Sequence, residues 1–189
     1  MKIGLYGGSF NPVHHGHLIL ARDALEQLSL DKVIFLLAKV SPFKLSLPSY
    51  VPDRFRARLL RVALRGEPGL EWDDCELGRD GPSYTIDTVC QMRRRYPSAE
   101  FFYFIGGDHL PTLSSWKEYK TLCRQIRFVV LSRGDVVSEA AFPTLKRRLD
   151  ISSSEIRARL SQGSSIRYLL PEPVHKILLS SRWYRPCFH

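Results

Sequence analysis

Histidines, glycines and a serine crowd one short stretch, Gly7-Gly8-Ser9-Phe10-Asn11-Pro12-Val13-His14-His15-Gly16-His17. Adjacent glycines let a backbone approach a ligand with no Cβ in the way. The stretch leads from a short apolar run, Ile3 to Tyr6, into an amphipathic one, so it reads as a strand-to-helix turn. Unpaired amides and the dipole at a helix start make an anion site. His14 and His17 flank Gly16 at that positive end, where imidazoles donate hydrogen bonds to phosphate oxygens or carry charge beside them. Two other readings compete. Three histidines suit a metal, but no Cys, Asp or Glu within the turn completes a ligand set. A glycine-rich turn can also be purely structural. Neither G-x-G-x-x-G nor G-x-x-x-x-G-K-[ST] is present, which argues against an NAD-type Rossmann site and a P-loop.

A second cluster lies far along the chain, in Ile151-Ser152-Ser153-Ser154-Glu155-Ile156-Arg157. Ser152 and Glu155 have capping-box spacing, which alone means only a well-capped helix. Arg157 falls about one turn inside, and helical side chains lean toward the N-terminus. Its planar fork of donors would join the serine hydroxyls and open amides around a phosphate. Four further positions could also meet a ligand. Ser83-Tyr84-Thr85 opens a predicted helix whose amides could receive a carboxylate. Trp116 offers an apolar face to a cationic ring, although a lone tryptophan is more often core. Asp108 ends a strand after Gly106 and Gly107, a position suited to a ribose hydroxyl or a Mg²⁺-bound water, and Lys44 could neutralise a phosphate.

The elements that must position these residues alternate. Strands are expected at Ile3 to Tyr6, Lys32 to Leu37, Leu70 to Leu77, Phe101 to Ile105 and Phe128 to Leu131. Helices are expected at Leu18 to Leu28, Asp53 to Leu64, Tyr84 to Arg95, Trp116 to Cys123, Ser152 to Leu160 and Pro173 to Arg182. Such alternation predicts an α/β fold, a doubly wound Rossmann-like parallel sheet with helices on both faces. Residues 1–189 are read as one domain, with a small helical subregion over 151–189. The stretch Ala38 to Pro52, with three prolines, reads as a long loop at a strand's C-terminal end, where such sheets bind ligands.

Composition narrows the partners. The formal net charge of +9 suits an anionic ligand, but Arg93-Arg94-Arg95 and Lys146-Arg147-Arg148 are expected on helix ends, where cations favour the dipole. Neither run interleaves aromatic residues as a nucleic-acid platform does. Cys75, Cys90, Cys123 and Cys187 are too scattered for a zinc ribbon or a disulfide scaffold. The apolar start is too short for a signal-peptide core, and no segment approaches the roughly 20 residues of a membrane helix. A cytoplasmic protein is expected, with no nucleic-acid or membrane partner and with self-association into a homo-oligomer left open.

Strand, two glycines, H-x-G-H and helix together resemble the H-x-G-H nucleotidyltransferases. The resemblance implies that His14 and His17 contact the triphosphate of ATP, and that the backbone near Gly8, Ser9 and Phe10, with Gly16, Gly106 and Asp108, serves the nucleotide. The serine-capped segment is similar to that superfamily's I-S-S-T-x-[IL]-R element, with Ser154 where threonine is usual, which implies that Ser153, Ser154 and Arg157 bind the β- and γ-phosphates. Gly81 to Thr88, Phe104 to Asp108, Trp116 and Ser165 to Pro171 resemble bacterial nicotinate-nucleotide adenylyltransferases over roughly residues 2 to 184. The implied reaction transfers AMP from ATP to nicotinic acid mononucleotide, with Mg²⁺ held mainly by ATP phosphates. His14, His17, Lys44 and Arg157 would supply cations or donors, and Lys44, Tyr84, Thr85 and Trp116 would bind the acceptor. Phe43, Lys117 and Gly107 depart from the common residues, on the acceptor side. The rivals are a sister enzyme using phosphopantetheine or a polyol phosphate, and a noncatalytic nucleotide- or RNA-binding module.

Overall fold

A parallel strand flanked on both sides must bury both faces, which is why the central segments here are apolar almost without interruption. The computed structural model describes residues 1–39, 51–132 and 142–184. Its strands are β1 (Lys2–Gly8), β2 (Lys32–Leu37), β3 (Leu70–Asp73), β4 (Glu100–Gly106), β5 (Arg127–Ser132) and β6 (Thr144–Lys146), all parallel, in the order β3-β2-β1-β4-β5-β6. The helices are α1 (His15–Gln27), α2 (Asp53–Ala63), α3 (Thr85–Arg95), α4 (Tyr119–Gln125), α5 (Ser153–Ser161) and α6 (Glu172–Leu179), with a 3₁₀ segment over Gly107–Ser115. The doubly wound expectation holds. Strand order reverses between β1 and β4, which leaves a crevice beyond their C-terminal ends.

Side-chain alternation divides the interior into two cores. Tyr6, Val33, Phe35, Phe102, Phe104 and Val129 face α1, α2, α5 and α6, against residues such as Leu20, Leu60, Ile156 and Val174. Ile3, Leu5, Ile34, Phe101, Tyr103 and Val130 face α3 and α4, against Val89, Met92 and Leu122. Each fully buried large side chain, such as Phe35 or Phe104, contributes about 1.5–3 kcal/mol. Ile156 and Ile166, from the C-terminal helical part, belong to the first core rather than to a separate one.

Several expectations need correction. Lys146-Arg147-Arg148 is not on a helix end: Lys146 closes β6, a three-residue edge strand too short to show a period. Arg147 grips Asp23 of α1 through both carboxylate oxygens, at 2.6 and 2.7 Å. β3 stops at Asp73, whose carboxylate accepts the Cys75 amide at 2.9 Å and turns the chain out of the sheet. The helix expected from Trp116 is split. Pro111, which lacks an N–H, lies in the 3₁₀ segment, Trp116 is extended, and α4 begins only at Tyr119. Finally, α1 starts at His15, three residues before its apolar stripe, and α6 ends at Leu179 rather than Arg182.

Candidate active site

The first turn of α1 is built around its two histidines. His14 is the extended N-cap, and its backbone amide donates to Nδ1 of His17 at 3.2 Å. The two rings stack, with centroids 3.7 Å apart and planes at 29°. A nitrogen that accepts an N–H carries no proton itself. In this geometry Nδ1 of His17 is the acceptor, which leaves Nε2 as the ring nitrogen that can donate. Gly16 does not line the cleft; it backs it. A Cβ there would stand 3.0 Å from His14 Nδ1 and 3.4 Å from the Ile151 carbonyl, so a larger residue would have to push the His14 ring aside by a few tenths of an ångström. Glycines 7 and 8 serve packing as well as access: a Cβ would meet the Tyr103 hydroxyl at 2.5 Å or the Phe10 ring at 2.9 Å.

The two distant motifs converge. Ser153 Oγ donates to the Pro12 carbonyl at 2.8 Å, and Arg157 Nη1 donates to the Asn11 carbonyl at 2.7 Å. Ser152 Oγ accepts the Glu155 amide at 3.0 Å, the cap read from spacing. The first-turn amides it does not cap are those of Ser153 and Ser154. Because its hydroxyl proton goes to Pro12, Ser153 has its amide, rather than its hydroxyl proton, left to offer an anion. Arg157 Nη2 donates to Ser154 Oγ at 3.1 Å, which with the Asn11 bond occupies two of its five donors. Tyr184, buried near the end of the described chain, hydrogen-bonds Asn11 Oδ1. Its burial pushes its phenol above the ordinary tyrosine range, against the opposing pull of Arg157 and Arg56.

A cleft of about 560 Å³ opens over this junction. Gly8, Ser9, Phe10, His14, His17, Gly106, Asp108, Ser153, Ser154 and Arg157 line it, so ten expected positions meet in one place. A second lobe of about 290 Å³ adjoins it, lined by Ser83, Thr85, Tyr103, Glu76 and Trp116. The two share Tyr6 to Ser9 of the first strand and its turn, with Gly106, Asp108 and His109, as a common wall. Trp116 stands edge-on to Tyr103, Phe128 and His109, with centroids 5.8–6.2 Å away, at the margin of the second core. Tyr84 is not part of the lobe's lining; its ring lies under Lys117 Nζ at 4.7 Å. Lys44 lies outside the described residues.

Burial, reinforced by Glu76, pushes the Tyr103 phenol up, so it stays protonated as part of the second lobe. Asp108 is the carboxylate that lines the larger lobe. Among the described residues no group of three or more His, Cys, Asp or Glu could hold a metal ion. A single carboxylate beside a polyphosphate site fits a Mg²⁺ bound chiefly through substrate oxygens. No helix among the described residues is long and apolar enough to cross a membrane.

Residues 5–159 match the cytidylyltransferase-like family. A protein of Exiguobacterium sibiricum named probable nicotinate-nucleotide adenylyltransferase is 41% identical over 183 residues, covering 94% of this chain and 96% of its own. One of the same name from Thermus thermophilus is 38% identical, covering 98% and 100%. The chain belongs to the nicotinate-nucleotide adenylyltransferases of the cytidylyltransferase-like family. The fold agrees across a wider distance. A Plasmodium falciparum nicotinic acid mononucleotide adenylyltransferase, solved in complex with NaAD, superposes with a TM-score of 0.80 at 17% identity over 97% of both chains.

For this nicotinate-nucleotide adenylyltransferase chain, sequence reasoning passed over Tyr6, Asn11, Glu76, Tyr103, His109 and Ser132, all of which line the two lobes. Most sit at or just beyond the C-terminal ends of β1, β4 and β5. Those strand ends were themselves the available signal, because ligands of doubly wound sheets gather there. Glu76 carried none: it reaches the lobe only because the chain turns after β3.

Proposed function

We propose that the chain transfers AMP from ATP to nicotinic acid mononucleotide, giving nicotinic acid adenine dinucleotide and pyrophosphate. The observation that carries the reading is the two-lobed cleft with one shared wall. One lobe is rich in phosphate-binding groups, and the other combines a helix start with an aromatic side chain. A phosphate monoester has a second pKa near ~6, so the acceptor phosphate is already a nucleophile at neutral pH and needs no general base. Its oxygen attacks the α-phosphorus in line. The bond from that phosphorus to the β-phosphate's bridging oxygen breaks, and the electron pair leaves on pyrophosphate.

Positioning two polyanions and stabilising the leaving charge are the remaining tasks. The Nε2–H of His17 donates to the triphosphate, with His14 holding its ring in place. The α5 amides and the remaining donors of Arg157 take the β- and γ-phosphates, and the α3 start with Trp116 takes the pyridine carboxylate and ring. Lys44 is assigned to the acceptor phosphate. Mg²⁺ carried in with ATP would withdraw charge from the phosphates, and Asp108 is the carboxylate that would help hold it. The reaction needs no nucleic acid and no membrane, and we place it in the cytoplasm.

The test is a panel of acceptors offered with ATP and scored by pyrophosphate release and product mass. It comprises nicotinic acid mononucleotide, nicotinamide mononucleotide, phosphopantetheine and a polyol phosphate. Turnover should be fastest with the first. A preference for phosphopantetheine or the polyol phosphate would refute the assignment.

A further inference from the structure

Arg56 is 1% exposed and is the largest fully buried side chain among the described residues. It lies on the apolar stripe of α2, in line with Leu59, Leu60 and Ala63, where packing gives no reason for a charge. Hiding a guanidinium is costly unless it is paired and hydrogen-bonded, and Arg56 is both. Nη1 donates to the Ser9 carbonyl at 2.6 Å and Nη2 to the Ala38 carbonyl at 2.9 Å, while Asp53 Oδ1 stands 2.6 Å away as counter-charge. One planar group thus ties the chain just past β1 to the chain just past β2. The tie extends to the second lobe. The Lys39 amide donates to Ser83 Oγ at 3.2 Å, and Lys39 Nζ donates to the Arg79 carbonyl at 2.7 Å.

We propose that Arg56 is a positioning residue that aims the Ser9–Phe10 peptide at the polyphosphate of ATP. This rests on the adenylyltransferase reading. In a trans peptide the carbonyl and the next amide point in opposite directions. With the Ser9 oxygen drawn down to Arg56, the Phe10 N–H is turned the other way, toward the cleft that both residues line. Phe10 also has φ 42°, a left-handed conformation that a residue with a Cβ seldom adopts unless its surroundings hold it there. The Arg56–Ser9 bond is what holds it from below. The acceptor lobe, reached only through Lys39, depends on Arg56 less directly.

The experiment compares wild type with Arg56→Lys and Arg56→Met, each checked for a native melting transition. Binding of a non-hydrolysable ATP analogue is measured, together with kcat and KM for ATP and for nicotinic acid mononucleotide. Lysine keeps the charge but cannot bridge two strands' carbonyls with one rigid plane. A folded Arg56→Lys should therefore bind the analogue about tenfold more weakly or worse, with kcat reduced, KM for ATP raised and the acceptor KM moved less. Arg56→Met should lose more. A folded Arg56→Lys with wild-type analogue affinity and kcat overturns the proposal. So does loss of folding in both variants, which would assign Arg56 to stability alone. If wild type binds the analogue but makes no dinucleotide, only the activity reading fails, and analogue binding in Arg56→Lys still decides the matter.

Discussion

At His17 the chemistry turns on which ring nitrogen carries the proton. The His14 amide occupies Nδ1, which leaves Nε2 to face the triphosphate in the proposed mechanism. Replacing it by alanine should lower kcat by ~10²-fold or more, as for the loss of one preorganised donor to a developing charge. The variant should still fold, since His17 is only half-buried, although the lost first-turn bond and ring stack will cost some stability. Near-normal turnover would remove the residue from the mechanism. Arg157 poses a different question. Its fork already holds Asn11 and Ser154, and lysine cannot keep both bonds and still reach a phosphate. Arg157→Lys should raise KM for ATP more than KM for the acceptor; steady-state kinetics with each substrate varied in turn would detect the difference.

Among the elements, α5 matters most because its first turn is also part of the cleft. Ser152 caps that turn through the Glu155 amide, so Ser152→Ala should destabilise the chain by about 1 kcal/mol and weaken ATP binding together. A urea titration that shows the stability loss with unchanged ATP affinity would separate the cap from the site. The end of β3 carries a pH-dependent element. Burial alone would raise the Asp73 carboxyl, but the bonds from Cys75 and the Arg95 guanidinium outweigh it and leave the group below its usual range. A carboxyl depressed in the folded state contributes stability above its unfolded value of about 3.9, and that contribution is lost as pH falls through the folded value. Asp73→Asn should therefore flatten the acid limb of the stability curve below about pH 4 and change its shape little near neutrality. An unchanged acid limb would show that the pair does not contribute.

At the scale of the molecule, the two ends of the described chain meet over one ligand site. β1 and its turn supply one wall, α5 the other, and Tyr184 fastens Asn11 from behind. Because the proposed ligand would bridge segments that lie more than 140 residues apart in sequence and meet only on folding, only the folded state should bind it well. Stabilisation at a ligand concentration 100 times Kd is about 2.7 kcal/mol, which in a domain of this size is a rise of roughly 5–10 °C in Tm. A non-hydrolysable ATP analogue should produce a shift of that order. A melting curve unmoved at saturating analogue would contradict the shared site.

The alternation of apolar runs with amphipathic ones determined the doubly wound sheet, because period and length are local properties of a chain. The same locality made the residues that build the cleft legible: His14, Gly16 and His17 sit on one turn, and Ser152 to Arg157 on another. What folding alone decided was everything that depends on distance across the chain. Arg56 was not singled out in sequence, because its partners at Ser9 and Ala38 lie on other segments, and Lys146 to Arg148 looked helical because three residues show no period. That Ser153 gives its hydroxyl proton to Pro12, that Asn11 is gripped from two sides, and that Glu76 enters the second lobe follow from contacts between segments. Such contacts are fixed by packing both faces of one sheet, which no stretch of sequence encodes by itself.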